Sequence, residues 1–236
     1  MITQTMVATL ALLLLVTALF LFRPQWLAAL LAKGSAEVLW RVPRQDPVVA
    51  LTIDDGPDAT TTPDILDVLR HHGAHATFFL ITERVAGNED LVARTVEERH
   101  ELGNHMNTDQ PSVLLEPPEF ERQLLASHRV LAQFAPVRWF RPGSGWFDAQ
   151  MLSTLRRHGY RCVLGTVYPF DAQIHSAWFA ASYVLWNLRP GSIIVLHDHG
   201  GRGARTAVAL ATILPELQRR GFRVVTLSEL TRRAPS

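Results

Sequence analysis

The chain has 236 residues, 47% of them apolar, enough for one well-filled globular domain and too few for two large ones. A formal charge of +1 offers no broad basic surface, so nucleic acid is excluded as an expected partner. The single cysteine, Cys162, cannot form an intrachain disulfide, and in the run Cys162-Val163-Leu164 it is expected to pack as a small hydrophobe.

From Met6 to Phe22 about 17 residues carry no charge, roughly 25 Å as a helix, at the short end of what crosses a hydrocarbon core. No Lys or Arg precedes Met6 and no small-x-small cleavage site comes just after Phe22, so residues 1–23 are expected to be a membrane anchor, a single-pass transmembrane helix, rather than a cleaved signal. The stretch is apolar all round, which disfavours a core helix with one polar face. Residues 24–46 read as a linker, within which residues 26–32 are too short to span and suit a membrane interface. Arg23, Lys33, Arg41 and Arg44 all follow the apolar stretch, and the positive-inside tendency would place that flank in the cytoplasm.

The catalytic domain is expected over 47–232. Residues 48–53 read as a buried strand. Thr62 then supplies an N-cap and Pro63 the first helical position, Ile65, Leu66 and Leu69 form the apolar stripe, and Gly73 ends the helix. Further strands are expected over 76–81, 101–104, 137–141, 161–165, 192–197 and 223–226. Helices are expected near 90–99, 118–134, 148–158, 177–188 and 205–220. About seven βα units imply an α/β fold with a mostly parallel sheet, open or closed into a barrel, whose ligands sit at the carboxyl ends of the strands.

Most of the polar residues of interest fall at such ends. Asp54 and Asp55 follow the apolar strand directly, and because successive strand residues point to opposite faces, both reach one site only if the strand stops there, as Gly56-Pro57 implies. Two adjacent carboxylates at a sheet mouth call for a cation or for protonation of one of them; the same tetrapeptide also suits an Asx turn or a helix N-cap. His105 and Asp109 are four residues apart, a spacing that on a helical turn lets both bind one ion, or form a surface pair. Arg141 stands before the turn Pro142-Gly143-Ser144-Gly145-Trp146, where exposed backbone N–H groups suit an oxyanion and the guanidinium can fix a carboxylate; a surface salt bridge is the plainer reading. His197 ends the apolar run 193–196, at the ligand-binding edge. His71, His72, His75, His100, His128, His158 and His175 are read as surface or capping residues.

The ordered set Thr52-Ile53-Asp54-Asp55-Gly56-Pro57, Gly103-Asn104-His105, Arg141-Pro142 and Val195-Leu196-His197-Asp198 resembles the polysaccharide deacetylase family, carbohydrate esterase family 4, over nearly all of residues 48–230. The resemblance implies a distorted (β/α) barrel of about seven strands and metal-dependent removal of N-acetyl groups from an amino-sugar glycan such as peptidoglycan or chitin. It implies Asp54 as general base, Asp55 and His105 as metal ligands, Arg141 as the residue orienting Asp54, His197 as general acid, Asp171 as the acid holding His197, and the loop Pro142, Ser144, Gly145 and Trp146 as substrate- or oxyanion-binding. Where the family has a second metal-binding His this chain has Asp109, giving the set Asp55, His105 and Asp109. Two anionic ligands would make the ion a poorer Lewis acid, with zinc expected and manganese, nickel or cobalt tolerated. The aromatic expected in the Arg-Pro loop is Ser144, with Trp146 two positions on, and the Trp expected after Asp171 is Ala172. The glycan substrate implies an extracytoplasmic catalytic domain, against the charge of the flank. Hydrolysis of another amide or an O-acetyl ester, and a catalytically inactive glycan-binding domain, are the competing readings.

Overall fold

The computed structural model describes residues 37–232 together with Met6 and Thr9. The expected anchor over 1–23 and residues 24–36 of the expected linker otherwise lie outside the described residues, and among the described residues no helix is long and apolar enough to cross a membrane. The compact catalytic unit begins at Glu37, earlier than the expected boundary at 47. Strand pairing and side-chain contacts tie this leading segment down. Strand β1 (Val38–Leu39) pairs with β6 (Arg161–Val163), and the Arg44 guanidinium bonds both Asp46 oxygens, at 2.8 and 2.7 Å, and the Leu230 carbonyl at 2.9 Å. A two-residue strand carries no readable period, so its own sequence does not distinguish the segment from a linker.

From there strands and helices alternate: β2 (Val48–Asp54), α1 (Thr62–His71), β3 (Ala76–Leu80), α2 (Glu89–Glu97), β4 (Glu101–Asn104), α3 (Pro117–Leu131), β5 (Trp139–Phe140), α4 (Ala149–Arg157), β6, α5 (Ala177–Asn187), β7 (Ile193–His197), α6 (Gly200–Arg219), β8 (Arg223–Val225) and α7 (Leu227–Thr231). The sheet runs β1-β6-β5-β4-β3-β2-β7, with β8 pairing to the first half of β2, and every ladder is parallel. Every residue of β2, β3 and β7 is buried, the pattern of strands covered on both faces. The isolated bridges Val167↔Ile194, parallel, and Arg41↔Ser192, antiparallel, reach the β7 edge from the segments after β6 and β1, and with no continuous ladder there among the described residues the parallel strands form a half-barrel.

Two helix starts differ from expectation, and both differences shape the site. Thr61, not Thr62, precedes α1 and makes no side-chain cap; both threonine hydroxyls donate instead to the buried Asp198 carboxylate. Helix α6 begins at Gly200 rather than 205, because Gly200, Gly201 and Gly203 lower its apparent propensity. Gly203 is needed there: a Cβ would collide with Thr61 Oγ1 and Asp198 Oδ1, so the first turn of α6 is clamped against the loop leaving β2.

Gly191, before β7, has φ 78° and lies against the leading segment, where a Cβ would collide with the Val42 carbonyl. Val42 N–H donates to the Gly191 carbonyl at 2.9 Å. Gly191→Ala is therefore expected to destabilise the domain by roughly 2–3 kcal/mol, read as a lower urea midpoint. Gly73→Ala, where a Cβ would meet nothing within 4 Å, should cost only about 1 kcal/mol despite its φ of 57°. Equal losses at the two positions would remove the close approach as the cause.

Candidate active site

Parallel strands deliver their carboxyl ends to one rim, and the sheet register decides which side chains meet there. Asp54 and His197, the last residues of β2 and β7, are direct partners across their ladder. Asp55 has φ 73°, a left-handed conformation that Asp tolerates. This interrupts the strand's alternation and keeps the second carboxylate at the same rim as the first.

Each member of the Asp54–His197 pair has its own buried partner. Arg141, just beyond β5, donates to Asp54 Oδ1 at 2.5 Å and to Thr52 Oγ1 at 2.7 Å from one nitrogen, and to the Val163 carbonyl at 3.2 Å from another. Its guanidinium lies 4.3 Å from the Phe79 ring centroid. A guanidinium held by carbonyls, a hydroxyl and a ring face has little freedom, so Asp54 is fixed with it. On the other side Asp171 accepts from the His197 backbone N–H at 2.9 Å and from Nδ1–H at 2.9 Å. That fixes the tautomer, leaving Nε2 for chemistry. Burial works against the charged imidazole, but the charge and hydrogen bond of Asp171, with Asp54 and Asp55 behind it, outweigh this and hold His197 up to about 9.

Asp55 and His105 form a second pair, with Nε2 at 3.4 Å from Asp55 Oδ1. His105 Nδ1 is 2.7 Å from the Arg141 carbonyl, a contact that sets the ring's orientation. Burial opposes charge on His105, but the Asp55 bond and both aspartate charges raise its pKa. Burial likewise disfavours the Asp55 carboxylate, yet His105, His197 and Arg202 together hold it well below the usual range. Arg202, on the first turn of α6, sits 2.8 Å from Asp55 Oδ2.

The structure brings Asp54, Asp55, His105, Arg141, Asp171 and His197 together. It does not bring Asp109 to that group. Residues 105–109 form no helical turn, and Met106 takes φ 74°, so the four-residue spacing does not stack the two side chains. Asp109 is 51% exposed and pairs with Arg84 at 3.0 Å, while another Arg84 nitrogen donates to the Asp55 backbone carbonyl. Two of the three expected donors are thus poised and the third is engaged elsewhere; among the described residues no three His, Cys, Asp or Glu groups gather as a metal would require. The donor set does not fit a three-ligand ion.

The Arg141 loop turns through Gly143–Gly145, with Ser144 at φ 65°. Gly143 N–H donates to Ser112 Oγ at 3.0 Å and Gly145 N–H to the Pro142 carbonyl at 3.1 Å, so two of the loop's three amides are already engaged. Trp146 is 69% exposed. His100 corrects one expectation: it is buried rather than at the surface, its Nδ1 accepts from the Ala76 N–H at 3.1 Å, and burial, with the nearby His75 and Arg94 charges, pushes it down to about 3. Cys162 is buried as expected.

Sequence reasoning missed Arg202 and Arg84, and gave Thr52 and Asp198, both inside the quoted motifs, no role of their own. Thr52 and Asp198 stand beside residues singled out, and strand alternation around Asp54 places Thr52 on its face. Arg202 had no such signal, because the glycines around it disguised the helix that carries it.

The chain matches the polysaccharide deacetylase family over residues 41–163. It is 37% identical to a peptidoglycan-N-acetylglucosamine deacetylase of Bacillus cereus, covering 83% of this chain and 93% of that one. It is 36% identical to a chitooligosaccharide deacetylase of Bradyrhizobium, covering 77% and 90%. Among solved structures, the Bc1960 peptidoglycan N-acetylglucosamine deacetylase superposes with a TM-score of 0.80 at 30% identity, covering 86% of this chain and 96% of that one. A family 4 acetyl xylan esterase from Clostridium thermocellum, solved with a cobalt ion, gives 0.70 at 30% identity, with 78% and 89% covered. Fold, ordered motifs and relatives agree, and the chain belongs to the polysaccharide deacetylase family of hydrolases.

Proposed function

We propose that the chain removes N-acetyl groups from an amino-sugar glycan of peptidoglycan or chitin type, with Asp54 as general base and His197 as general acid. The observation that carries this reading is the Asp54–His197 pair, partners across one ladder step, each held by a separate buried group. A base and an acid fixed side by side are what amide hydrolysis needs and what a glycan-binding domain does not. Asp54 takes a proton from water as its oxygen bonds to the acetyl carbon, and the carbonyl electrons move onto oxygen, next to the Ser144 amide. When the tetrahedral adduct collapses, the C–N bond breaks and the His197 imidazolium gives its proton to the departing nitrogen. Acetate and a free amine result, and solvent restores both side chains. Trp146, exposed at the end of the Arg141 loop, offers a ring face for a sugar.

With His197 held up to about 9, the acid is protonated throughout the neutral range. The rate should stay level up to about pH 9 and then fall about tenfold per pH unit. Asp171→Asn removes the principal charge that raises His197, so its alkaline limb should move down by about one pH unit or more. An unmoved limb would assign the titration to another group.

The substrate class is tested by incubating the protein with N-acetylglucosamine oligomers and with acetylated xylan. Acetate matched by an equal amount of new primary amine from the oligomers is expected. Acetate from xylan alone would replace the amide reading with the O-acetyl ester one. We further propose that the apolar stretch from Met6 to Phe22 tethers the domain to a membrane with the domain on the extracytoplasmic side, where a wall glycan is found. Protease added to intact cells should degrade the domain; protection would make that location untenable.

A further inference from the structure

We propose that Arg202 and a divalent cation compete for the Asp55 carboxylate, and that Arg202 is the resident counter-ion of this centre. Asp55 is buried and both of its oxygens are engaged, Oδ1 facing His105 Nε2 at 3.4 Å and Oδ2 paired with Arg202 at 2.8 Å. A divalent ion bound by Asp55 and His105 would stand against the guanidinium, and two cations confined at one buried carboxylate repel strongly. The third donor that would offset this repulsion, Asp109, is paired with Arg84.

Arg202 is not at Asp55 by chance of rotamer alone. A cation on the first turn of a helix opposes the helix dipole, an arrangement that needs a compensating anion, and Asp55 supplies it. The backbone is also fixed. Gly203 lies flush against Thr61 and Asp198, the Asp198 amide donates to the Asp54 carbonyl at 2.7 Å, and Gly200 N–H donates to Asp58 Oδ2 at 2.9 Å. The start of α6 is thereby locked to the loop that leaves β2, and Arg202 is presented to Asp55 by that lock. Its side chain remains 29% exposed, which leaves it a route outward when the carboxylate is taken by another cation.

The test is binding of cobalt(II) chloride, followed by the visible absorption of the ion and by calorimetry, on the full chain stripped with chelator and without substrate. Arg202→Ala should bind cobalt about 10- to 100-fold more tightly than the native protein, the range expected when a charge-assisted bond no longer has to be broken first. Arg202→Gln, which keeps the length and loses the charge, should behave like Arg202→Ala and guards against misfolding of the shorter variant. Arg202→Lys should stay near the native affinity. Adding Asp55→Ala to Arg202→Gln should abolish the gain. Equal affinity of native, Arg202→Ala and Arg202→Gln proteins, whether tight or undetectable, would overturn the proposal. Because no turnover is read, that failure would leave the deacetylase reading untouched.

Discussion

Asp54→Asn is expected to lower kcat for deacetylation by about three orders of magnitude while leaving KM within a few-fold of the native value. The amide is nearly isosteric and its oxygen can still accept from Arg141, so the local fold should persist. What is lost is the lone pair that takes the proton from water as the bond to the acetyl carbon forms, an interaction needed only in the transition state. A uniform rise in KM with kcat unchanged would instead place Asp54 in ground-state binding. The pairing partner His197 should give a comparable loss as His197→Ala. The two losses should be strongly non-additive in the double variant, since a base without its acid has little left to catalyse.

Arg141→Met is expected to give the largest loss of stability of any single substitution in the site, roughly 3–5 kcal/mol. Both side chains of the Arg141–Asp54 pair are only 4% exposed. Removing the cation strands a carboxylate in the interior and also leaves Thr52 Oγ1 and the Val163 carbonyl without their donor. The methionine fills much of the volume and can still lie against Phe79, so the loss reports charge rather than packing. Adding Asp54→Asn to Arg141→Met should restore part of the stability, because the stranded charge goes with it, while activity stays absent. Denaturant unfolding of the four proteins closes this cycle. An Arg141→Met protein within about 1 kcal/mol of native would show that water already satisfies Asp54.

The parts of the molecule legible in the sequence are those where one physical signal dominates. Strands β2, β3 and β7 are apolar runs interrupted only by Thr52 and Thr77 before the polar ends of β2 and β7, and helix α1 carries proline at its start and glycine after its end, so their positions are readable to within a residue or two. Strand ends then located Asp54, Asp55, His105, Arg141 and His197 at one rim. Legibility failed where spacing was converted into geometry without a helix to justify it. His105 and Asp109 share a face only on a helical turn, and the left-handed Met106 breaks that turn. It failed again where glycine had a tertiary role: Gly203 weakens helix propensity but admits the close approach to Thr61 and Asp198, and so the turn carrying Arg202 went unread. Short β1 and β5, two residues each, owe their existence to neighbouring strands rather than to their own pattern.

These differences bear on how the centre balances its charge. The acidic set expected from the sequence contained three donors for an ion. The folded chain keeps two of them, Asp55 and His105, turns Asp109 to Arg84, and places Arg202 on Asp55. Asp54 and His197, the proposed base and acid, are held independently of this exchange by Arg141 and Asp171.

The most direct measurement is acetate release from an N-acetylglucosamine oligomer by native, Asp54→Ala and His197→Ala proteins at equal concentration, with folding checked by circular dichroism. Steady release by the native protein, an equal yield of free amine, and rates in both variants lower by about two orders of magnitude or more are expected. Equal release by all three folded proteins would contradict the roles proposed for Asp54 and His197.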